Sequence, residues 1–213
     1  MVSAFIAVAE PIAWGTMVFS RGTEALTAMG LYSLKFFTVL SNLFLGIASL
    51  IYVVCLLRQL RAGCTVPLWA HRLKFMATVA VAVTFMTVML FLGPLFGFAS
   101  MFAGANLWFH LVLPVLAIVE FAFLDIERPL AFKDTLLGVV PTLLYGIFYC
   151  GNILINGVGQ GRTSNDWYGF AMWGVQFMPV VLAVMLLATW LFAVAIRGAN
   201  AAVCNASEKR RAC

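Results

Sequence analysis

A threonine and a histidine, each near the start of a separate apolar stretch, are the residues of this chain best placed to do chemistry. Thr38 lies within Phe37-Thr38-Val39-Leu40-Ser41-Asn42, and His110 closes Asn106-Leu107-Trp108-Phe109-His110. A threonine hydroxyl is a weak nucleophile until a base within hydrogen-bond reach takes its proton, and histidine titrates in the range that suits this task at neutral pH. Amides, hydroxyls or phenols close by could hold the oxyanion of an attacked ester carbonyl. Asn42, Ser41, Tyr149 and Asn152 are the candidates for that role or for binding substrate. The chemistry so defined is ester hydrolysis, with Thr38 and His110 as the catalytic pair.

These residues recur at helical spacing. Thr38, Asn42, Gly46 and Ser49 follow one another at i, i+4, i+8 and i+11, which places them on one face of a helix. Small and hydroxylated residues also line ordinary helix contacts in membranes, so packing is the competing explanation for Gly46 and Ser49. Asn106, His110, Ala117 and Glu120 fall within about 80° of arc, and Tyr145, Tyr149, Asn152 and Asn156 form a stripe about 60° wide. A histidine hydrogen-bonded between helices would explain His110 without catalysis, and the interfacial aromatic belt would explain the tyrosines. Glu120 lies about 15 Å along the helix from His110, too far to be its partner. A pair with a neighbouring helix is expected for Glu120, with an ion pathway through Glu10 and Glu120 as the alternative. His71, among basic residues, reads as a surface residue.

The elements that must position these groups are hydrophobic. Apolar residues make up 64% of the 213 and charged residues 10%, whereas a soluble domain carries about a quarter charged residues. Lipid is therefore the expected solvent. Spans are expected at Val2–Phe19, Leu34–Leu57, Phe75–Phe98, Leu107–Leu124, Leu136–Asn156 and Val175–Ile196, giving an all-α polytopic membrane bundle that forms one domain over residues 1–213. The alternating segments of a β-barrel and the internal repeat of many transporters are both absent. Arg58, Arg61, Arg72, Lys74, Arg128, Lys133, Arg197, Lys209, Arg210 and Arg211 fall on one side of these spans, and only Arg21, Lys35 and Arg162 on the other. That excess predicts cytoplasmic termini. Thr38 and His110 then each lie about one helical turn inside the outer boundary. The outer loop Asn165-Asp166-Trp167-Tyr168-Gly169 could cap that level. The net charge of +5 is thus explained by topology rather than by nucleic-acid binding. Cys55, Cys64, Cys150, Cys204 and Cys213 show neither disulfide nor zinc spacing.

Three segments together resemble a known family: Phe37-Thr38-Val39-Leu40-Ser41-Asn42-Leu43, His110-Leu111-Val112-Leu113-Pro114, and the tyrosine–asparagine stretch followed by Asp166-Trp167-Tyr168-Gly169-Phe170. With six spans, they are similar to the androgen-induced-gene-1-like six-pass membrane proteins, in the form of their prokaryotic-type relatives. In the animal members the family implies a threonine hydrolase of fatty acid esters of hydroxy fatty acids, and its essential threonine and histidine would fall on Thr38 and His110. The chain departs from the animal pattern at Ser41-Asn42 and in the Asp-Trp-Tyr-Gly loop. The expectation is an intramembrane threonine hydrolase in the cell membrane. It would meet membrane lipids and a lipid ester substrate, with no cofactor, metal or nucleic acid. A non-catalytic scaffold or lipid-binding protein is the alternative, and a small transporter using Glu10 and Glu120 is the third possibility.

Overall fold

The computed structural model of the chain describes residues 1–19, 30–125, 129–160 and 164–212; Arg21, Arg128 and Arg162 of the orientation count lie outside them. Among the described residues the protein is all-helical, with no strand. The long helices are α1 (Val2–Phe19), α2 (Phe37–Ala62), α3 (Leu68–Phe96), α4 (Ala105–Leu124), α5 (Thr135–Asn156) and α6 (Met178–Ala212). Five of them, α2 to α6, are long and apolar enough to cross a membrane, whereas Val2–Thr16 of α1 is a shorter apolar segment. α3 is the central helix and touches α2, α4, α5 and α6; α1 packs against α2 and α4. Large apolar side chains such as Leu144, Ile147, Val184 and Leu187 are exposed on α5 and α6, while Glu10, Asn42, Lys74 and His110 are buried. This arrangement, polar groups inside and hydrocarbon outside, is what a lipid solvent selects.

Where helix bounds differ from expectation, charged residues are the cause. α3 begins at Leu68 rather than Phe75, so it contains His71, Arg72 and Lys74. His71, expected at the surface, is buried, and its ring stacks on Phe121 with centroids 5.0 Å apart. Arg72 meets Asp134 at 2.9 Å, and Lys74 meets Glu120 at 2.6 Å. These partners are remote in sequence, so a local reading sees only unpaired charge. α2 runs past Leu57 to Ala62 and stops at Gly63, whose left-handed backbone (φ 66°) lets its N–H bond the Gln59 carbonyl. α6 continues past Ile196 to Ala212, because a helix need not end where hydrocarbon does.

Two wide turns interrupt the long helices, Val88–Leu92 in α3 and Trp108–Val112 in α4. Each is followed two residues later by a proline, Pro94 or Pro114. The Gly93 N–H bonds the Val88 carbonyl and the Leu113 N–H bonds the Trp108 carbonyl, one residue further than in an α-helix. The next carbonyls, of Met89 and Phe109, would need the N–H groups that Pro94 and Pro114 lack. In α4 the orphaned Phe109 carbonyl finds its donor on another helix.

Candidate functional site

That donor is Asn42. Its fully buried Nδ2 donates to the Thr38 carbonyl one turn earlier at 2.7 Å and to the Phe109 carbonyl at 3.1 Å. The two carbonyl oxygens therefore lie within about 6 Å of each other. One amide ties α2 at Thr38 to α4 beside His110. The His110 Nδ1 sits 2.6 Å from the Met101 carbonyl. A carbonyl only accepts, so Nδ1 carries the proton, and Nε2 holds the lone pair of the neutral ring. This is the tautomer a general base requires. Among the described residues no hydrogen bond joins the Thr38 hydroxyl to His110.

Thr38 lies in the wall of an apolar cavity of about 60 Å³ enclosed by α2, α3, α5 and α6. Thr84, Tyr149, Tyr168, Met178 and Leu182 are among its other walls. A larger groove of about 480 Å³ runs along the lipid side, where Leu40, Leu144 and Phe148 are exposed. The rings of Phe37 and Tyr145, 5.0 Å apart, belong to both spaces and separate them. Ser41 lines the groove; its Oγ donates to the Thr38 carbonyl at 3.1 Å and shares a 3.0 Å hydrogen bond with the Thr84 hydroxyl. Asn42 and His110 stand outside the cavity wall.

The loop after α5 closes over the cavity. The Tyr149 hydroxyl donates to Asp166, and the same carboxylate accepts the Phe170 and Ala171 amides at 2.8 and 2.9 Å. Trp167 Nε1 donates to the Tyr145 hydroxyl at 3.0 Å, and that hydroxyl donates to the Lys35 carbonyl at 2.7 Å. The Phe37 N–H donates to the Tyr168 hydroxyl oxygen at 2.7 Å, and the Thr38 amide and hydroxyl approach the same oxygen. Phe36, at the start of α2, has no side chain able to cap it. Tyr168 supplies the cap from far along the chain. Burial pushes the Tyr168 phenol above its ordinary value, and its contacts with Tyr145, Phe37 and Thr38 pull it back. Asn152 donates to Asn165 at 3.1 Å and accepts from Asn156 at 2.9 Å, so these amides tie α5 to the loop; Asn152 is not in the cavity wall.

A second polar cluster lies toward the other end of the bundle. Lys74 Nζ donates to Glu120 at 2.6 Å and to the Ser3 hydroxyl at 2.5 Å, and Ser3 donates to the other Glu120 oxygen at 2.6 Å. The Lys74 ammonium also lies 5.1 Å from the centre of the Tyr52 ring. This is the neighbouring-helix pair expected of Glu120, and it holds α1, α3 and α4 together. An ammonium ion-paired in this way has no lone pair with which to activate Ser3.

Fold and site together define a membrane-embedded helical protein with a hydroxyl-bearing apolar cavity under an aromatic loop. No family model, curated protein or solved structure matches the chain. Two parts of the site escape the polar-stripe pattern. The role of Tyr168 had one local sign, the uncapped Phe36-Phe37 start of α2. The bond from Asn42 to α4 had another, Pro114 placed so as to strip a carbonyl of its donor.

Proposed function

We propose that the protein is an intramembrane hydrolase of lipid esters, with Thr38 as nucleophile and His110 as its base. It would cross the cell membrane six times, α1 being the first span, with both termini cytoplasmic. The observation that carries the proposal is the Asn42 amide, which clamps the Thr38 carbonyl to the Phe109 carbonyl beside a histidine whose Nδ1–H is already engaged. Lipid would enter sideways through the groove, and rotation of Phe37 or Tyr145 would admit an acyl chain to the cavity. The Thr38 oxygen attacks the ester carbonyl while Nε2 of His110 takes its proton. The tetrahedral intermediate expels the alcohol, which leaves with that proton. Water, deprotonated by the same nitrogen, then attacks the acyl-threonine; the Thr38 oxygen leaves with that proton and a carboxylic acid is released. The Phe37 and Thr38 amides, at the positive end of α2 and now against the Tyr168 oxygen, are the donors best placed for the oxyanion. Asn42, occupied by two carbonyls, is a positioning residue; Ser41 and Tyr149 shape the groove and cavity.

The test is labelling of the purified protein by a fluorophosphonate, together with turnover of a fatty acid ester. Thr38→Ser should keep both, and Thr38→Ala should lose both; labelling that persists in Thr38→Ala removes Thr38 from the mechanism. A lipid-binding protein without turnover is the second reading, favoured by the position of His110 outside the cavity wall. It predicts saturable binding of an acyl ester that is never hydrolysed and that His110→Ala leaves intact.

A further inference from the structure

Lys35 is a cation without a counter-ion at the rim of the lipid-side groove. It ends the short 3₁₀-helix Gly30–Lys35, three residues before Thr38. Leu34 and Phe37, on either side of it in the chain, line the groove. The Lys35 side chain is half-buried, and its Nζ lies 5.2 Å from the centre of the Phe36 ring and 5.1 Å from that of Trp167. Ring faces attract the charge but offer it no oxygen. Neither salt bridge among the described residues involves Lys35. Asp166, next to Trp167, is taken by Tyr149 and by the Phe170 and Ala171 amides. A lysine that merely snorkels reaches away from apolar surface into water; this one is folded over two rings. The same unit is tied to the cavity entrance. The Tyr145 hydroxyl donates to the Lys35 carbonyl at 2.7 Å and accepts from Trp167 Nε1 at 3.0 Å, and Tyr145 borders both groove and cavity.

An apolar groove with one unmatched positive charge at its rim complements an amphipathic anion. A single ammonium is a point charge that suits the tetrahedral oxygens of a phosphate, whereas a planar carboxylate is the natural partner of a guanidinium fork. On the topology proposed above, Lys35 stands at the outer headgroup level. In a glycerophospholipid the phosphate and the acyl esters are only a few bonds apart. Lys35 and Thr38 are separated by three residues, at most about 11 Å of fully extended chain. A phosphate held at Lys35 therefore brings an acyl ester toward Thr38 and leaves the acyl chain in the groove. We infer that Lys35 binds the phosphate of a glycerophospholipid and sets the substrate class of the proposed hydrolysis. The inference rests on that reading for the fate of the ester, but the binding stands without it. Cleavage would break the acyl carbon–oxygen bond and add water across it, giving a fatty acid and a lysophospholipid with every phosphorus–oxygen bond intact.

The experiment uses ether lipids, which no esterase can cleave. An alkylglycerol phosphate, the neutral alkylglycerol of the same chain length and an analogue with a carboxylate in place of the phosphate are titrated onto the purified full chain in non-ionic micelles, with binding read by native mass spectrometry. The phosphate should bind about tenfold or more tighter than the neutral lipid, the worth of a hydrogen bond to a charged group. Lys35→Met should remove that difference by weakening the phosphate-bearing lipid alone, and Lys35→Arg, which keeps the charge, should retain most of it. Equal binding of the phosphate and neutral lipids, or a preference that persists in Lys35→Met, would overturn the inference and leave Thr38 chemistry untouched. A carboxylate analogue that binds as tightly as the phosphate would overturn the choice of phosphate. The corresponding esters are then offered as substrates. If the ether lipids show the preference but neither ester is cleaved, the headgroup site stands and the hydrolysis falls.

Discussion

Removing Lys74 should unfold this protein more readily than removal of any exposed charge. Its side chain is 0% exposed and serves one carboxylate, one hydroxyl and one aromatic face. In Lys74→Met the Glu120 oxygen that it faced is left charged and dry, with only Ser3 on the other oxygen. Breaking a buried pair from one side costs about 3–5 kcal/mol. Glu120→Leu leaves the ammonium unbalanced and belongs in the same range. Replacing both, Lys74→Met with Glu120→Leu, removes the uncompensated charge and should return stability to within about 1–2 kcal/mol of the parent, since apolar substitutes for buried pairs are often neutral or better. The double-mutant cycle should therefore give a coupling of at least about 3 kcal/mol. Reversible unfolding in mixed micelles with increasing SDS measures all four proteins. Two results would refute the reasoning: a loss below about 1 kcal/mol in Lys74→Met, which would mean the pair is hydrated, or additive losses in the double variant.

Asp166→Ala deletes the acceptor of Tyr149 and of two backbone amides, so the loop over the cavity should loosen; accelerated proteolysis between α5 and α6, with a stability loss of about 1–3 kcal/mol, is expected. Gly138 faces the Ala193 Cβ at 3.0 Å and the Val79 methyls at 3.1 and 3.2 Å, so Gly138→Ala must push α5 from α3 and α6 and should cost about 1–3 kcal/mol in the same unfolding assay. Asn42→Leu leaves the Phe109 carbonyl without its donor, while the Thr38 carbonyl keeps the Ser41 hydroxyl. It should cost about 1–3 kcal/mol and abolish esterase turnover even with Thr38 and His110 intact. Turnover at the wild-type rate in a folded Asn42→Leu protein would remove the clamp from the mechanism.

Hydropathy alone locates α1, α4 and α5 nearly to the residue, because apolar length is a local property. It fails where a helix contains charges with distant partners. Arg72 and Lys74 look like loop residues until Asp134 and Glu120 are seen beside them, and His71 looks like surface until Phe121 covers it. The charge count and helical spacing put Thr38 and His110 at one expected level, but spacing along single helices gives no distance between helices. What sets the α2–α4 contact is a carbonyl stripped of its donor by Pro114. This follows from backbone geometry and has no signature in hydropathy. The cap from Tyr168 is invisible for a related reason, since the chain between α2 and that loop passes through three other helices.

The missing cap of α2 has a mechanical consequence. Because the Tyr168 hydroxyl is what holds the Phe37 amide, the loop cannot lift from the cavity without fraying the first turn of the helix that carries Thr38. Access from the aqueous side and local melting are then one event, with one opening constant. Deuterium uptake at the Phe37 amide should report that constant directly, and a ligand that keeps the cavity shut should slow it in proportion to its occupancy.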